Sequence, residues 1–224
     1  MLLAFHNKQT VKNKYLKRVQ KHYELDEIVK GKYWKDGKGC AVGCTIQGSD
    51  HSKYETELGI PEEVAYLEDI IFEELSNGKA KEFPLRFLKA VKVGADLSLV
   101  VAKFVIWQFE DKKYGLKNIK EVQEDKEIFG WCEEVVALYK RDLEGNKATE
   151  GEYWQLYLKI NGARAWAWTM AWAWTMAWAR AWARAGAEAW AGAVAEFEKV
   201  YNERVEAMAD KFIELIEEAP VVKN

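Results

Sequence analysis

The sequence has little that would interrupt a helix or tie down a secreted fold. Only three prolines occur in 224 residues, and because proline breaks helix interiors, their scarcity favours an all-α fold. The three cysteines, Cys40, Cys44 and Cys132, form no paired disulfide framework. A large net charge is also missing, since the chain carries a formal −3 at pH 7. With 49% hydrophobic residues, which can bury a substantial core, these features indicate a folded helical protein.

Segments for export or membrane insertion are missing as well. The apolar start at residues 1–5 turns polar at once, and it is shorter than the ~7–15 apolar residues of a signal peptide core. The longest uncharged apolar run, residues 165–179, falls short of the ~20 residues that cross a membrane. The sequence therefore predicts no membrane association and a reducing, cytoplasmic location.

An Ala/Trp repeat dominates the C-terminal quarter. The hexad Trp-Thr-Met-Ala-Trp-Ala occurs twice in succession over residues 168–179, and alanine fills nearly every odd position from 163 to 195. Because alanine is the best helix former and is poor in strands, the repeat predicts a long helix. The predicted fold is an all-α, multi-helix single domain with this helix as its spine. Residues 1–160 form the helical domain, and residues 161–219 form the helix that packs on it.

The predicted helix is too long to stay straight within a compact domain. It would span roughly 80 Å at ~1.5 Å per residue, against a radius of gyration of about 17 Å for a domain of this size. A bend between Gly186 and Gly192 resolves the conflict. The alternative is a projecting helix that forms a homo-oligomer. One stripe of the helix stays apolar, whereas the opposite stripe becomes charged at Arg180 and Arg184, where the helix leaves the core.

A basic segment leads into a glycine- and cysteine-rich loop at residues 31–59. From Lys8 to Lys38, nine lysines and Arg18 face four acidic residues, so this segment carries +6 and the rest of the chain −9. Such a patch attracts anions. Closely spaced glycines let backbone N–H groups converge on an anion, and a helix that starts near Cys40 would add its positive end.

These features predict a site for a small anionic, nucleotide-like ligand. Lysines supply charge, threonine supplies a hydroxyl donor, and flanking aromatic rings can stack on a base. The spacing is not that of a P-loop, because the Gly-Lys-Ser/Thr ending is missing. The patterns point to no catalytic residue, no metal or cofactor, and no sequence-specific nucleic acid partner. The predicted ligand-binding residues are Trp34, Lys35, Lys38, Gly39, Cys40, Gly43, Cys44, Thr45, His51, Tyr54, Arg180 and Arg184.

Three other interpretations of the chain stay open. The loop can be a turn that packs helices closely, with small cysteines filling the gaps. Alternatively, Cys40 or Cys44 is a nucleophile that pairs with His51 or His22, since a helix N-terminus lowers a thiol pKa. The third is an assembly module that associates through the long helix.

Metal binding is less well supported by the sequence. The four-residue spacing of Cys40 and Cys44 matches zinc sites poorly, and a further ligand would have to be His22 or Cys132. Glu62, Asp69 and Glu73 align on one face of a predicted helix, but without a Glu-x-x-His companion a di-metal site is disfavoured. We interpret these carboxylates as a solvated face.

Five motifs are distributed along the chain. They are Ala4-Phe5-His6-Asn7-Lys8, Gly37-Lys38-Gly39-Cys40-Ala41-Val42-Gly43-Cys44-Thr45, Glu57-Leu58-Gly59-Ile60-Pro61, Leu67-Glu68-Asp69-x-Ile71-Phe72-Glu73 and Val93-Gly94-Ala95-Asp96-Leu97. Together they resemble those of an uncharacterised family of bacterial and phage proteins, whose members also end in an alanine-rich repeat helix. The resemblance covers most of the chain. It implies no catalytic residues, because no activity is established for the family. It is compatible with a phage origin, and with it a protein that sequesters a host signalling nucleotide.

Overall fold

The computed structural model describes the backbone of residues 1–162 and 187–222, and the side chains of residues 1–156 and 198–222. Helices dominate these ranges, and the only sheet within them is a hairpin of two short strands. The predicted all-α fold is therefore confirmed. The elements are α1 (Gln9–Glu24), β1 (Trp34–Lys35), β2 (Lys38–Gly39), α2 (Ala41–Ile46), α3 (Glu62–Glu74), α4 (Asn77–Ala90), α5 (Val100–Glu110), α6 (Lys120–Glu124), α7 (Lys126–Leu143), α8 (Glu150–Gly162) and α9 (Ala187–Glu217).

The chain divides into two compact units. The first contains residues 1–101 and the segment from Val205 onward, and the second contains residues 102–204. The end of α9 packs with the N-terminal helices of the first unit, and the boundary at residue 160 stays a prediction. The ring of Phe212 in α9 stacks on Phe87 of α4 at 5.8 Å between centroids, and Phe83 lies 6.4 Å away.

The first unit is a layered arrangement of α1 to α4. Helix α1 packs on α4 and α2, while α3 packs on both α2 and α4. The N-terminus and the C-terminal segment join through residues 93–97. Gly94 donates its backbone N–H to the carbonyl of Ala4 (2.9 Å) and accepts from Val222 (3.1 Å). Because these bonds tie both ends of the unit to one loop, the C-terminal half of α9 is part of its core.

The second unit has a smaller apolar core. Trp131 and Val135 of α7 are buried there against residues of α5 and α8, among them Val105 and Leu156. The carboxylate of Asp125 caps α7 by accepting from the backbone N–H groups of its first turn.

None of the helices in the described ranges combines the length and the apolar character that a membrane span needs.

The C-terminal helix is described only in its second part. Helix α9 continues without interruption from Ala187 to Glu217, through Gly192. The bend predicted between Gly186 and Gly192 begins outside the described residues and stays a prediction. Gly186 and the Ala/Trp repeat at residues 163–186 lie outside the described residues, as do Arg180 and Arg184. The predictions that this helix is the spine of the fold and mediates assembly therefore stay predictions.

Candidate functional site

The glycine-rich loop folds as a tight hairpin followed by a short helix. The turn residues Asp36 and Gly37 both have positive φ, 54° and 81°. Two consecutive left-handed residues are the geometry of the two-residue hairpin turn that Asp-Gly favours. In the hairpin Trp34 pairs with Gly39 and Lys35 with Lys38. The chain then enters α2 directly after β2, so the hairpin and α2 form one continuous structure.

Two glycines of this loop allow close backbone contact. A Cβ on Gly43 would lie 1.5 Å from the carbonyl oxygen of Tyr33, and a Cβ on Gly39 would lie 2.1 Å from the same atom. Their N–H groups are also engaged within the protein. Gly39 donates to the carbonyl of Glu27 (3.1 Å), and Gly43 donates to the Sγ of Cys40 (3.4 Å). The glycines and the small cysteines between them therefore pack the hairpin onto α2.

Cys40 and Cys44 are fully buried on either side of the start of α2. The Sγ of Cys40 caps the helix, and the thiol of Cys44 donates to the carbonyl of Gly39 at 3.3 Å. Burial raises the pKa of both thiols, that of Cys44 to about 12, and the neighbouring Asp69 carboxylate adds to the effect at Cys40. A nucleophilic thiol needs a lowered pKa, so the surroundings oppose the thiol-enzyme interpretation.

We therefore expect the native thiols to resist alkylation. Raising a thiol pKa from ~8.5 to about 12 lowers its thiolate fraction at neutral pH by roughly 10³-fold. Iodoacetamide at neutral pH, with a chelator present, should label Cys44 at least two orders of magnitude more slowly in the native chain than in the urea-unfolded chain, as read by peptide mass spectrometry. Rapid labelling of native Cys40 or Cys44 would instead support the thiol-dependent enzyme.

Beneath the hairpin lies a group of polar side chains, here named the buried polar cluster. It joins α2 and the following loop to the face of α3. Tyr54, which is fully buried, donates its hydroxyl to Glu68 Oε2 at 2.8 Å, and Thr45 lies beside the same hydroxyl. Its members are Cys40, Thr45, His51, Tyr54, Glu68, Asp69 and Glu73.

Glu62, Asp69 and Glu73 of α3 do not form the solvated face that the sequence led us to expect. Asp69 is buried, as is the neighbouring Glu68, and Glu62 and Glu73 are half-buried. Burial raises the pKa of the Glu68 carboxyl well above its usual range, because a buried carboxylate loses its hydration. The expectation was wrong because this face of α3 packs on α2 rather than facing water.

Asp69 is the centre of the buried polar cluster. Its Oδ2 lies 3.5 Å from Nε2 of His51, and a carboxylate oxygen, the Sγ of Cys40 and an oxygen of Glu73 all lie within 4.8 Å of one another. Glu73 also accepts the N–H of Gly31 with both carboxylate oxygens, at 3.0 and 2.9 Å. This contact connects the cluster to the loop before the hairpin.

Two tyrosines cover His51 at the protein surface. Tyr66 stacks on the imidazole at 4.2 Å, with 12° between the rings, and Tyr33 meets it edge-on at 5.6 Å. Tyr33 is 51% exposed and Tyr66 is 48% exposed, whereas His51 is only 4% exposed. The exposed lysines of the hairpin follow Tyr33 along the chain. We call Tyr33, Lys35, Lys38 and Tyr66 the hairpin surface.

The predicted ligand-binding residues thus fall into two sets. Lys35 and Lys38 are exposed, while Trp34 is half-buried with its ring edge-on to His22 at 5.4 Å. His22 is a core residue whose Nδ1 contacts Glu27 Oε2 at 2.6 Å. The remaining predicted residues of the described region lie in or beside the buried polar cluster: Gly39, Cys40, Gly43, Cys44, Thr45, His51 and Tyr54.

Sequence reasoning missed Glu68, Asp69 and Glu73 as members of a site. The available signal was a set of Cys, His, Asp and Glu residues within two neighbouring segments.

Comparison of the chain with known protein families, curated proteins and solved structures found no match.

Proposed function

We propose that the protein binds a small ligand that combines an anionic group with an aromatic ring, as a nucleotide does, and that the hairpin surface is the binding site. The observation that carries the proposal is the pairing of Lys35 with Lys38 across the hairpin. Both side chains are exposed, and Lys35 follows the exposed Tyr33 by two residues along the chain.

Paired lysines favour an anion for a physical reason. Residues directly opposite on antiparallel strands have their Cβ atoms about 4.5–5.5 Å apart, and like charges in such positions destabilise the pair. Within the described part of the chain, neither ammonium group makes an ion pair. The Asp26 carboxylate is close enough to Lys38 to interact with it electrostatically, but Asp26 forms its ion pair with Lys81. A phosphate group between the two ammonium groups would replace their repulsion with two charge-assisted hydrogen bonds.

The tyrosines supply the contact for a ring. Tyr33 directly precedes β1 and meets the His51 ring edge-on, and it is half exposed. The stack of Tyr66 on His51 holds both rings in place, because a ring packed face to face has little freedom to rotate. Stacking on an aromatic side chain contributes ~1–3 kcal/mol per base. The hairpin surface therefore offers a phosphate contact and a ring contact side by side.

Binding without turnover is the form of function that we propose. The thiols in reach of the site are buried, and their pKa values are raised, so nucleophilic attack at neutral pH is disfavoured. Together with the resemblance to bacterial and phage proteins, this supports a protein that sequesters a signalling nucleotide stoichiometrically.

A ligand screen with two matched variants tests the proposal. Nucleotides and cyclic dinucleotides are added to the full chain, and thermal unfolding is followed, because a ligand that binds the native state raises its apparent stability. For the best ligand, we expect Lys35→Gln/Lys38→Gln to weaken affinity by roughly tenfold or more, since a hydrogen bond to a charged group contributes ~1.5–3 kcal/mol. The measurement is isothermal titration calorimetry.

The control variant is Lys112→Gln/Lys147→Gln, which removes two exposed lysines from the second unit. It changes the net charge by the same amount and should bind the ligand as tightly as the native sequence. Two results would contradict the proposal. One is that no nucleotide raises the melting temperature, and the other is that both double variants bind equally well.

A further inference from the structure

The buried polar cluster contains three side chains of the types that bind metals. The Sγ of Cys40 and one carboxylate oxygen each from Asp69 and Glu73 lie within 4.8 Å of one another. Asp69 and Glu73 are four residues apart on α3, so they project from the same helix face. Cys40 stands at the start of α2, which packs against α3. Secondary structure thus holds all three groups around one point.

The spacing is close to that of a coordinated cation. In a tetrahedral zinc site, Zn–S bonds of about 2.3 Å and Zn–O bonds of about 2.0 Å place sulfur and oxygen ligands roughly 3.5 Å apart. An outer limit of 4.8 Å between the three ligand atoms therefore calls for a contraction of about 1 Å, which small side-chain rotations supply.

A second observation is independent of this spacing. His51 is 4% exposed and Asp69 is 8% exposed, yet among the described residues neither His51 Nε2 nor Asp69 Oδ1 has a hydrogen-bond partner. Buried polar atoms are nearly always paired with protein, water or an ion. The unpartnered imidazole nitrogen is directed at the Asp69 carboxylate. A carboxylate that binds a metal is commonly supported in this way by a neighbouring residue. A cation bound to Asp69 would give its free oxygen a partner.

We propose that Cys40, Asp69 and Glu73 bind a zinc-like divalent cation, with His51 as the positioning residue that holds Asp69 and with a fourth coordination position open. A thiolate ligand selects a borderline-soft ion such as zinc over magnesium or calcium. On binding, the S–H bond of Cys40 breaks, the sulfur–metal bond forms and the proton passes to solvent. Glu73 is half-buried and therefore marks the side from which the ion enters.

The proposal makes Cys40 a ligand and leaves Cys44 out. The thiol of Cys44 is directed to the backbone carbonyls of Gly39 and Glu27, at 3.3 and 3.7 Å. Cys44 is nevertheless as deeply buried as Cys40 and lies four residues along the same short segment. Substituting serine at each position therefore gives a matched pair of variants, which differ only in whether the lost sulfur belongs to the proposed site.

Cobalt(II) is the probe for the first experiment, because it follows zinc chemistry and absorbs light when bound to a thiolate. The full chain is stripped with a chelator, dialysed and titrated with Co²⁺. We expect about one ion per chain, a sulfur-to-cobalt charge-transfer absorption, and loss of that absorption when Zn²⁺ is added. Zn²⁺ should also raise the melting temperature of the stripped protein.

The variants assign the ligands. Cys40→Ser should remove the charge-transfer absorption, and Cys44→Ser should keep it. Asp69→Asn and Glu73→Gln, which preserve side-chain shape, should weaken Co²⁺ binding by at least about tenfold, and His51→Gln by about 10–100-fold, the range for residues that support a metal ligand. Circular dichroism verifies that each variant is folded. Should Cys40→Ser fail to fold, Asp69→Asn decides the question.

Three results would overturn the proposal. The first is that the stripped native chain binds no Co²⁺ at a stoichiometric concentration. The second is a charge-transfer absorption that persists in folded Cys40→Ser. The third is undiminished Co²⁺ affinity in folded Asp69→Asn. The outcome is separate from that of the nucleotide screen, since none of these variants alters Lys35 or Lys38.

Discussion

Gly43→Ala is expected to destabilise the first unit by about 3 kcal/mol or more. The new Cβ would lie 1.5 Å from the carbonyl oxygen of Tyr33 and 2.6 Å from the carbonyl carbon. Both are backbone atoms, so no side-chain rotation can relieve the contact. The hairpin must move away from α2, and the hydrogen bonds from the N–H of Cys40 to the carbonyls of Lys32 and Tyr33 must lengthen. Overpacking commonly costs ~1–3 kcal/mol, and this contact is far closer than those that a core accommodates.

Gly78→Ala is the matched control in the same unit. Gly78 lies in the first turn of α4 at ordinary helical φ, and a Cβ there meets nothing within 4 Å. Since alanine is the better helix former, this change should be neutral or stabilising by up to ~1 kcal/mol. Urea unfolding measures both changes. Equal stabilities of the two variants would show that the hairpin does not need to approach α2 as closely as described.

Replacing Glu68 with glutamine is expected to change how stability depends on pH. The pKa of Glu68 is raised well above its usual range by burial, whereas in the unfolded chain it is ~4.3. Above pH ~4.3 the folded state keeps a proton that the unfolded state has released. Its contribution to stability is therefore full below the unfolded pKa and falls by about 1.4 kcal/mol per pH unit up to the folded pKa.

Glu68→Gln removes this proton without removing the oxygen that accepts from Tyr54. Between pH 5 and pH 7 the native chain should lose stability relative to the variant, because its raised carboxyl pKa makes stability fall as the pH rises. The amide leaves buried N–H donors unpaired, which costs ~1–3 kcal/mol at either pH. We therefore expect the native chain to be more stable at pH 5, and the difference to shrink or reverse by pH 7.

Urea unfolding at the two pH values, with a chelator present, measures this difference. Glu63→Gln is the control, because Glu63 is an exposed carboxylate of the same helix. Its free energy of unfolding should run parallel to that of the native chain over the same pH range. Parallel behaviour of Glu68→Gln as well would mean that Glu68 is ionised in the folded protein, contrary to its burial.

The all-α fold was predictable because the signals that determine it are local. Scarce proline, and alanine as a strong helix former, act within single segments. The Asp36-Gly37 turn is equally local, although the closely spaced glycines around it also have the pattern of an anion-binding loop. Gly39 and Gly43 instead allow contact with Tyr33. That role depends on contact between two segments of the chain, and the sequence carries no local pattern that predicts this contact.

The buried polar cluster could not be predicted for a related reason. Carboxylates four residues apart on a helix have the same pattern whether they face water or a second helix. Only the packing of α3 on α2 turns Glu68 and Asp69 inward. In contrast, the exposed lysines of the hairpin follow from composition alone, and the structure adds their direct pairing. The predictions for Arg180 and Arg184 concern residues outside the described ranges.

The most direct test of the proposed function is to map the bound ligand by NMR. A uniformly ¹⁵N-labelled chain is titrated with the nucleotide that gives the largest thermal shift, and the backbone amide shifts are followed. We expect the largest changes at the hairpin, from Tyr33 to Gly39, and at Tyr66, with Lys35→Gln/Lys38→Gln abolishing them at the same ligand concentration. Shift changes confined to other residues, or unaffected by the two lysine substitutions, would contradict the assignment of the hairpin surface as the binding site.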